Sequence, residues 1–150
     1  MIENYSIDIL IVEDNPCDLE LALDALRRNN LANHIQVARD GVEALDFIFC
    51  TGEFKDRLSP TQPKIVLLDL KLPRVDGLEV LRQIRSDPRT HAIPVVVMTS
   101  SREEADIAQS YNLGVNSYIV KPVDFANFSA AVRQLGFYWL LLNQSPNPQM

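Results

Sequence analysis

The sequence predicts an α/β fold, one parallel β-sheet with helices on both of its faces. Three observations carry that expectation. Short apolar runs of strand length alternate with segments of helical period, the order expected of βαβ units. The first run is almost continuously apolar rather than alternating, as a strand buried on both faces should be. Helix-capping residues, glycines and prolines fall between the two kinds of segment, where the chain must turn.

Residues 7–12 (IDILIV) form the first expected strand. Asn15 supplies an N-cap and Pro16 the first helical position. Leu19, Ala22, Leu23 and Leu26 then share one helical face, and the helix should end near Asn29 and Asn30. Ile35–Ala38 is a short second strand. Asp40 to Glu43 read as an acidic capping box, opening a helix whose Leu45, Ile48 and Phe49 face inward. Residues 51–63 (TGEFKDRLSPTQP) read as a long surface loop. Residues 64–68 form the third strand. Asp76 to Glu79 repeat the capping pattern and start a helix with Leu78, Leu81 and Ile84 on its apolar face, which Asp87 and Pro88 stop.

Residues 93–98 form the fourth strand, and Ser101 to Glu104 cap a fourth helix that runs to about Asn112 and stops by Gly114. Ser117–Val120 is the fifth strand. Asp124 caps a fifth helix reaching Asn143, and residues 144–150 read as a flexible tail. Right-handed crossovers between five strands place the helices on both faces. One domain is expected over residues 1–150, with its core in 7–143 and no attached output module.

Bulk composition narrows the function classes. The chain has 150 residues, 47% hydrophobic and 23% charged, ordinary for a globular protein with a proper core. Its 14 basic and 20 acidic residues give a formal charge of −6, the opposite of the basic stripe that a nucleic-acid surface needs. The start of the chain lacks a basic n-region, and no apolar run reaches the roughly 18 residues of a membrane span. A cytoplasmic protein without a membrane segment is expected. Cys17 and Cys50 are not spaced as a metal knuckle and should stay reduced.

Chemistry-bearing residues cluster at the carboxyl ends of the runs. They are the adjacent acids Glu13 and Asp14, the carboxylate Asp69, the hydroxyl Thr99 and the amine Lys121. Parallel strands put these ends on one edge, and open α/β sheets bind ligands in the crevice outside it. Three acids, a hydroxyl and a cation there point to a divalent metal and a phosphoryl group on Asp69. Magnesium takes oxygen ligands, usually one or two carboxylates with retained waters. Asp14 and Asp69 suit direct ligands, Glu13 a coordinated water, and a backbone carbonyl near Lys71 the rest of the protein's share. Crowded carboxylates repel without a cation, and the metal and Lys121 relieve that repulsion.

Asp69 then suits a nucleophile toward phosphorus. Lys121 and the metal neutralise charge that the transferring group spreads over its oxygens. The Thr99 hydroxyl can bond one of those oxygens, and small Ser100 leaves space and a backbone N–H beside it. Taken singly, Asp14 reads as a helix cap, Asp69 as a loop carboxylate, Thr99 as a strand-end threonine and Lys121 as a surface amine. Chance would scatter them to both edges of the sheet, so their joint placement decides.

The segments IVEDN (11–15), LLDLKLPRVDG (67–77), VVVMTSS (95–101) and YIVKP (118–122) are together similar to the receiver domain of bacterial two-component response regulators, over residues 7–135. The separation of Asp14 from Asp69 is longer than the family pattern, and the loop 51–63 absorbs the excess. The resemblance implies a flavodoxin-like (βα)5 doubly wound sheet of strand order 2-1-3-4-5. It implies that Asp69 accepts a phosphoryl group from a phosphohistidine on a sensor histidine kinase, with magnesium held by Glu13, Asp14 and Asp69. Thr99 and Tyr118 resemble the family's switch pair. Thr99 would move toward the phosphoryl group and Tyr118 inward behind it, repacking the face made by helix 4, strand 5 and helix 5. A narrower resemblance, to the small regulators of cyanobacterial phytochrome kinases, rests on the long loop before strand 3 and the aromatic-rich helix 5. It implies a phytochrome as the kinase.

In helix 5, Phe128, Val132, Leu135, Trp139 and Leu142 make one apolar stripe, enough to face the sheet. Phe137, Tyr138, Leu140 and Leu141 lie off that stripe, so the run 137–142 (FYWLLL) is hydrophobic all round. The excess is expected to meet a second copy of the chain, with contacts at Phe137, Tyr138 and Leu141. The family dimerises on this face. A bend at Gly136, a weak helix former, would instead fold the excess back onto its own domain.

These features describe a phosphorylation-switched signalling module rather than an enzyme acting on outside substrates. The alternative is a magnesium-dependent phosphatase with an aspartyl nucleophile. Such enzymes carry a second acid two residues further on, where this chain has Lys71. A flavin electron carrier of the same topology would need a hydroxyl-rich loop after strand 1, where Glu13, Asp14, Asn15 and Pro16 stand. His34 and His91 are single and distant in sequence from the acids, and no glycine-rich phosphate loop is present.

Overall fold

A computed structural model of the chain describes residues 9–28, 34–57 and 62–121. The strands are β1 (Ile9–Val12), β2 (Ile35–Ala38), β3 (Ile65–Leu68), β4 (Val95–Thr99) and β5 (Ser117–Val120). The helices are α1 (Pro16–Arg28), α2 (Gly41–Phe49), α3 (Gly77–Ser86) and α4 (Glu104–Asn112). All neighbouring strands pair in parallel, in the order β2-β1-β3-β4-β5. This is the doubly wound, flavodoxin-like arrangement expected.

Alternate residues of each strand point to opposite faces, and both faces are covered. Ile9, Ile11, Ile65, Leu67, Val96 and Met98 pack with Leu19, Ala22, Ala25 and Leu26 of α1. Leu10, Val12, Val66, Leu68, Val95 and Val97 pack with Ala44, Phe47 and Ile48 of α2 and with Val80, Leu81 and Ile84 of α3. Burial on both sides explains the near-continuous apolar character of the central strands. Each buried Leu or Ile contributes about 2 kcal/mol, so the sheet is a rigid base for whatever its edge carries.

Several local expectations need correction. Strand β4 begins at Val95, after Pro94, and extends to Thr99. The inward face of α2 is Ala44, Phe47 and Ile48, while Leu45 and Phe49 are half-buried at its margin. Asp40 caps α2 as expected, its Oδ1 accepting from Glu43 N–H at 2.8 Å, but Glu43 reaches back to Arg39 N–H instead of Asp40 N–H. Asp76 accepts from Gly77 N–H at 2.9 Å, and Glu79 turns away to Arg82 and Gln83, so no capping box forms at α3.

Ser101 does not cap α4. The helix starts at Glu104, and the Ser101 hydroxyl donates to Asp106 Oδ2 at 2.5 Å. The Ser101 oxygen accepts only from Glu103 N–H, at 3.4 Å, one residue short of the helix, while its proton goes to the charged acceptor. The described part of the loop 51–63 is not free-standing. It holds a 3₁₀ turn (Gly52–Phe54), sets Phe54 edge-on to Phe47 at 5.2 Å between ring centroids, and lays Arg57 over Phe47 at 4.0 Å.

The expected fifth helix, its run 137–142 with Phe137, Tyr138 and Leu141, and the tail lie outside the described residues. Among the described residues, no helix is long and apolar enough to cross a membrane.

Candidate functional site

The sheet ladder continues one residue past three of the strands and fixes the backbone of three candidate residues. Glu13 N–H bonds to Ala38 O at 2.9 Å, Asp69 N–H to Val12 O at 3.0 Å, and Lys121 N–H to Thr99 O at 2.8 Å. Their side chains therefore leave the same edge, from the adjacent strands β1 and β3 and from β5 beyond β4. Carboxylate oxygens of Glu13, Asp14 and Asp69 all lie within 4.8 Å of one another. Glu13 and Asp69 are buried, whereas Asp14 is exposed.

Lys121 closes the cluster. Its Nζ lies 2.6 Å from Glu13 Oε1, 2.9 Å from Asp18 Oδ2 and 3.1 Å from Asp69 Oδ2. An ammonium has three N–H donors, and all three are engaged. Burial pushes the Glu13 carboxyl up to about 7 against the pull of its Lys121 bond, and the Asp69 charge adds to the rise. Burial works against the charge on Lys121, but bonds to Glu13 and Asp18 and the charge of Asp69 outweigh it and raise its pKa. The amine is therefore a fixed cation at neutral pH.

The three acids form a hard-oxygen donor set with more negative charge than one ammonium balances. That chemistry fits a small divalent cation. The turn after β3 is built to hold its share of the set. Lys71 N–H donates to Asp69 Oδ1 at 3.1 Å. Gly77, the first residue of α3, sits so close beneath that a Cβ would lie 2.3 Å from Asp69 O. A Cβ on Gly41 at the start of α2 would lie 2.0 Å from Val75 O. Only glycine permits both helix starts to press onto this turn.

Thr99 is fully buried, with its Oγ1 accepting from Ser101 N–H at 3.4 Å. Tyr118 sits opposite Val97 in the sheet register, and its hydroxyl donates to Ser101 O at 3.1 Å. Ser100 between them is exposed. The Lys71 ammonium lies 3.6 Å from Asp106 Oδ2, which also takes the Ser101 hydroxyl. Thus Glu13, Asp14, Asp69 and Lys121 meet directly, and Thr99 joins them through the backbone of Lys121. Tyr118 and the Lys71 side chain face the start of α4. His34 and His91 are not part of the acid cluster, and Cys17 and Cys50 are free thiols.

Sequence reasoning missed Asp18 and Asp106. Asp18 lies one helical turn beyond Asp14, in the first turn of α1. An acid there reads as a complement to the helix N-terminus, and nothing in the sequence points it at Lys121.

The fold and this edge define a receiver. The sequence profile of the family described as Response regulator receiver domain matches residues 9–133, and the chain belongs to that family. It is similar to the probable methanogenesis regulatory protein FilR2 of Methanothrix harundinacea, 41% identical over 140 residues, which are 93% of this chain and 88% of that protein. It is also similar to response regulator Rcp1 of Synechocystis sp., 38% identical over 132 residues and 88% of each chain. Among solved structures, the phosphorylated cyanobacterial phytochrome response regulator RcpA superposes with a TM-score of 0.82 at 38% identity, covering 95% of this chain and all of that one. The Mn2+-bound form of Rcp1 gives 0.80 at 36% identity, covering 94% and 99%. The family makes this chain a signalling protein, and the phosphatase alternative is not favoured. Lys71 holds the position where that chemistry needs an acid, and its ammonium is committed to Asp106.

Proposed function

We propose that Asp69 accepts a phosphoryl group from a phosphohistidine of a sensor histidine kinase, and that this switches the face formed by α4, β5 and helix 5. The observation that carries the reading is the convergence of Lys121 and the acids Glu13 and Asp14 on the Asp69 carboxylate. In the transfer, an Asp69 oxygen attacks phosphorus and a P–O bond forms. The P–N bond breaks, and its electron pair goes to the imidazole. Lys121 holds an N–H at the acceptor, where negative charge concentrates. Magnesium, held by Glu13, Asp14, Asp69 and the backbone carbonyl of Lys71, would neutralise charge on the phosphoryl oxygens. The Mn2+-bound Rcp1 supports a divalent ion at this edge.

Thr99 and Tyr118 form the switch. A phosphoryl oxygen offers the Thr99 hydroxyl a new acceptor, which changes its bond with Ser101 N–H. The loop then moves, Tyr118 gives up the Ser101 carbonyl and turns inward. That difference in contacts is what lets phosphorylation bias one state over the other.

The likeness to RcpA, described as a phytochrome response regulator, supports a phytochrome as the kinase. Phosphotransfer profiling against phytochrome and non-photoreceptor kinases tells the two inputs apart. We read residues 1–150 as one receiver acting in the cytoplasm without nucleic acid or membrane. The apolar run 137–142 supports a homodimer through Phe137, Tyr138 and Leu141. Analytical ultracentrifugation of a Phe137→Glu, Leu141→Glu double variant tests it, and an unchanged sedimentation coefficient at all concentrations removes the dimer.

Incubation with acetyl phosphate and magnesium, followed by intact mass, tests the acceptor. The wild-type chain should gain one phosphoryl group and Asp69→Asn none. Retained labelling in the variant would move the acceptor elsewhere.

A further inference from the structure

We propose that Asp18 is a positioning residue for Lys121, holding the ammonium in the pose that meets the incoming phosphoryl group. The proposal rests on the reading of Asp69 as acceptor. Lys121 is 14% exposed, and its three N–H donors go to Glu13, Asp18 and Asp69. When a phosphoryl oxygen takes over from the Asp69 carboxylate as the third acceptor, the other two bonds fix where that N–H points. The two anchors are not equivalent. Glu13 belongs to the acid trio that converges on a cation, whereas Asp18 does not. Among the described residues, the Asp18 carboxylate bonds the ammonium alone, and that bond can persist when a cation draws on Glu13.

Its placement suits that role. Asn15 Oδ1 accepts from the N–H groups of Cys17 at 2.9 Å and Asp18 at 3.0 Å, so the cap of α1 fixes the Asp18 backbone directly. The next residue, Leu19, is buried in the core on the α1 side of the sheet. A carboxylate on a capped, packed helix turn is a rigid post for a flexible four-carbon amine. At 33% exposure, Asp18 is also wet enough that replacing it leaves no buried orphan charge on its own helix.

The test compares phosphorylation by acetyl phosphate at saturating magnesium in the wild-type chain, Asp18→Ala, Asp18→Asn and Asp18→Glu. Asp18→Ala and Asp18→Asn should be phosphorylated about tenfold more slowly at saturating donor, the loss of one charge-assisted bond in the transition state. Asp18→Glu should recover most of the rate, and magnesium affinity by titration calorimetry should be unchanged throughout. In a Lys121→Ala background, Asp18→Ala should have no further effect, because the two act as one unit. Wild-type speed in Asp18→Ala, full additivity with Lys121→Ala, or a parallel loss of magnesium affinity would each overturn the role. A wild-type chain that stays unlabelled on Asp69 overturns the acceptor reading and this one with it. Labelled wild type with an equally fast Asp18→Ala overturns the role of Asp18 alone.

Discussion

Lys121 Nζ lies 3.1 Å from Asp69 Oδ2, although 52 positions separate them along the chain. The contact is held by the sheet rather than by loops. Lys121 N–H is bonded to Thr99 O and Asp69 N–H to Val12 O, each an extension of a strand ladder. Acceptor and cation are thus preorganised on an element whose rigidity comes from two buried faces. Function here depends on the carboxyl edge keeping its register.

Glu13 should make the metal-free protein lose stability as pH rises through neutrality. Its carboxyl is pushed up to about 7 in the folded chain, chiefly by burial. A raised carboxyl pKa means that the folded state binds the proton more tightly than the unfolded state. Its contribution is then complete below the ordinary carboxylate range and lost as pH climbs through about 7. Urea titrations at about pH 5 and pH 7.5 should differ by roughly 1–3 kcal/mol in the wild type, and by clearly less in Glu13→Gln. Equal slopes for the two proteins would show that Glu13 is not the titrating group.

Gly77→Ala should damage stability and site together. The added Cβ would meet Asp69 O at 2.3 Å and Leu70 Cα at 2.5 Å, both backbone atoms that cannot swing aside. Forcing α3 off this turn should cost about 1–3 kcal/mol, and it should weaken magnesium binding because Asp69 rides on the displaced segment. Denaturant midpoints combined with calorimetric magnesium titration check both. A destabilised variant with unchanged magnesium affinity would uncouple α3 from the site.

Arg85 should matter to stability and not to phosphorylation. Its guanidinium donates to the carbonyls of Leu113 at 2.6 Å, Ile93 at 2.8 Å, and His91 and Gly114 at 3.0 Å, tying α3 to the start of β4 and the end of α4. Arg85→Met removes all four bonds and leaves the part-buried carbonyls of Leu113 and Ile93 without this partner. A loss of roughly 2–4 kcal/mol is expected. The rate of labelling by acetyl phosphate should stay at the wild-type value, since these bonds lie at the opposite end of β4 from Thr99. Slower labelling would show that the α4 terminus is coupled to the site.

The five strands and the polar residues closing them were legible because burial on both faces writes itself as apolar runs that stop at a charge or hydroxyl. Glu13, Asp69, Thr99 and Lys121 could be found that way. Asp18 could not, because its partnership with Lys121 depends on the direction in which α1 leaves the edge, and a first-turn acid has an ordinary helical explanation. The start of α4 is not legible in the sequence because the Ser101 hydroxyl can act as a capping acceptor or as a donor, and only the fold brings Asp106 to 2.5 Å from it. The inner face of α2 shifted to Phe47 because Phe54 and Arg57, from a loop with no periodic signal, cover that ring.

Borohydride trapping tests the central claim most directly. Reduction of an aspartyl phosphate turns its carbonyl carbon into an alcohol, and peptide sequencing by mass spectrometry then locates the modified residue. After acetyl phosphate and magnesium, the reduced residue should be Asp69, with Glu13, Asp14 and Asp18 intact. Homoserine or its glutamate counterpart at any of those other positions, with Asp69 unmodified, would contradict the account.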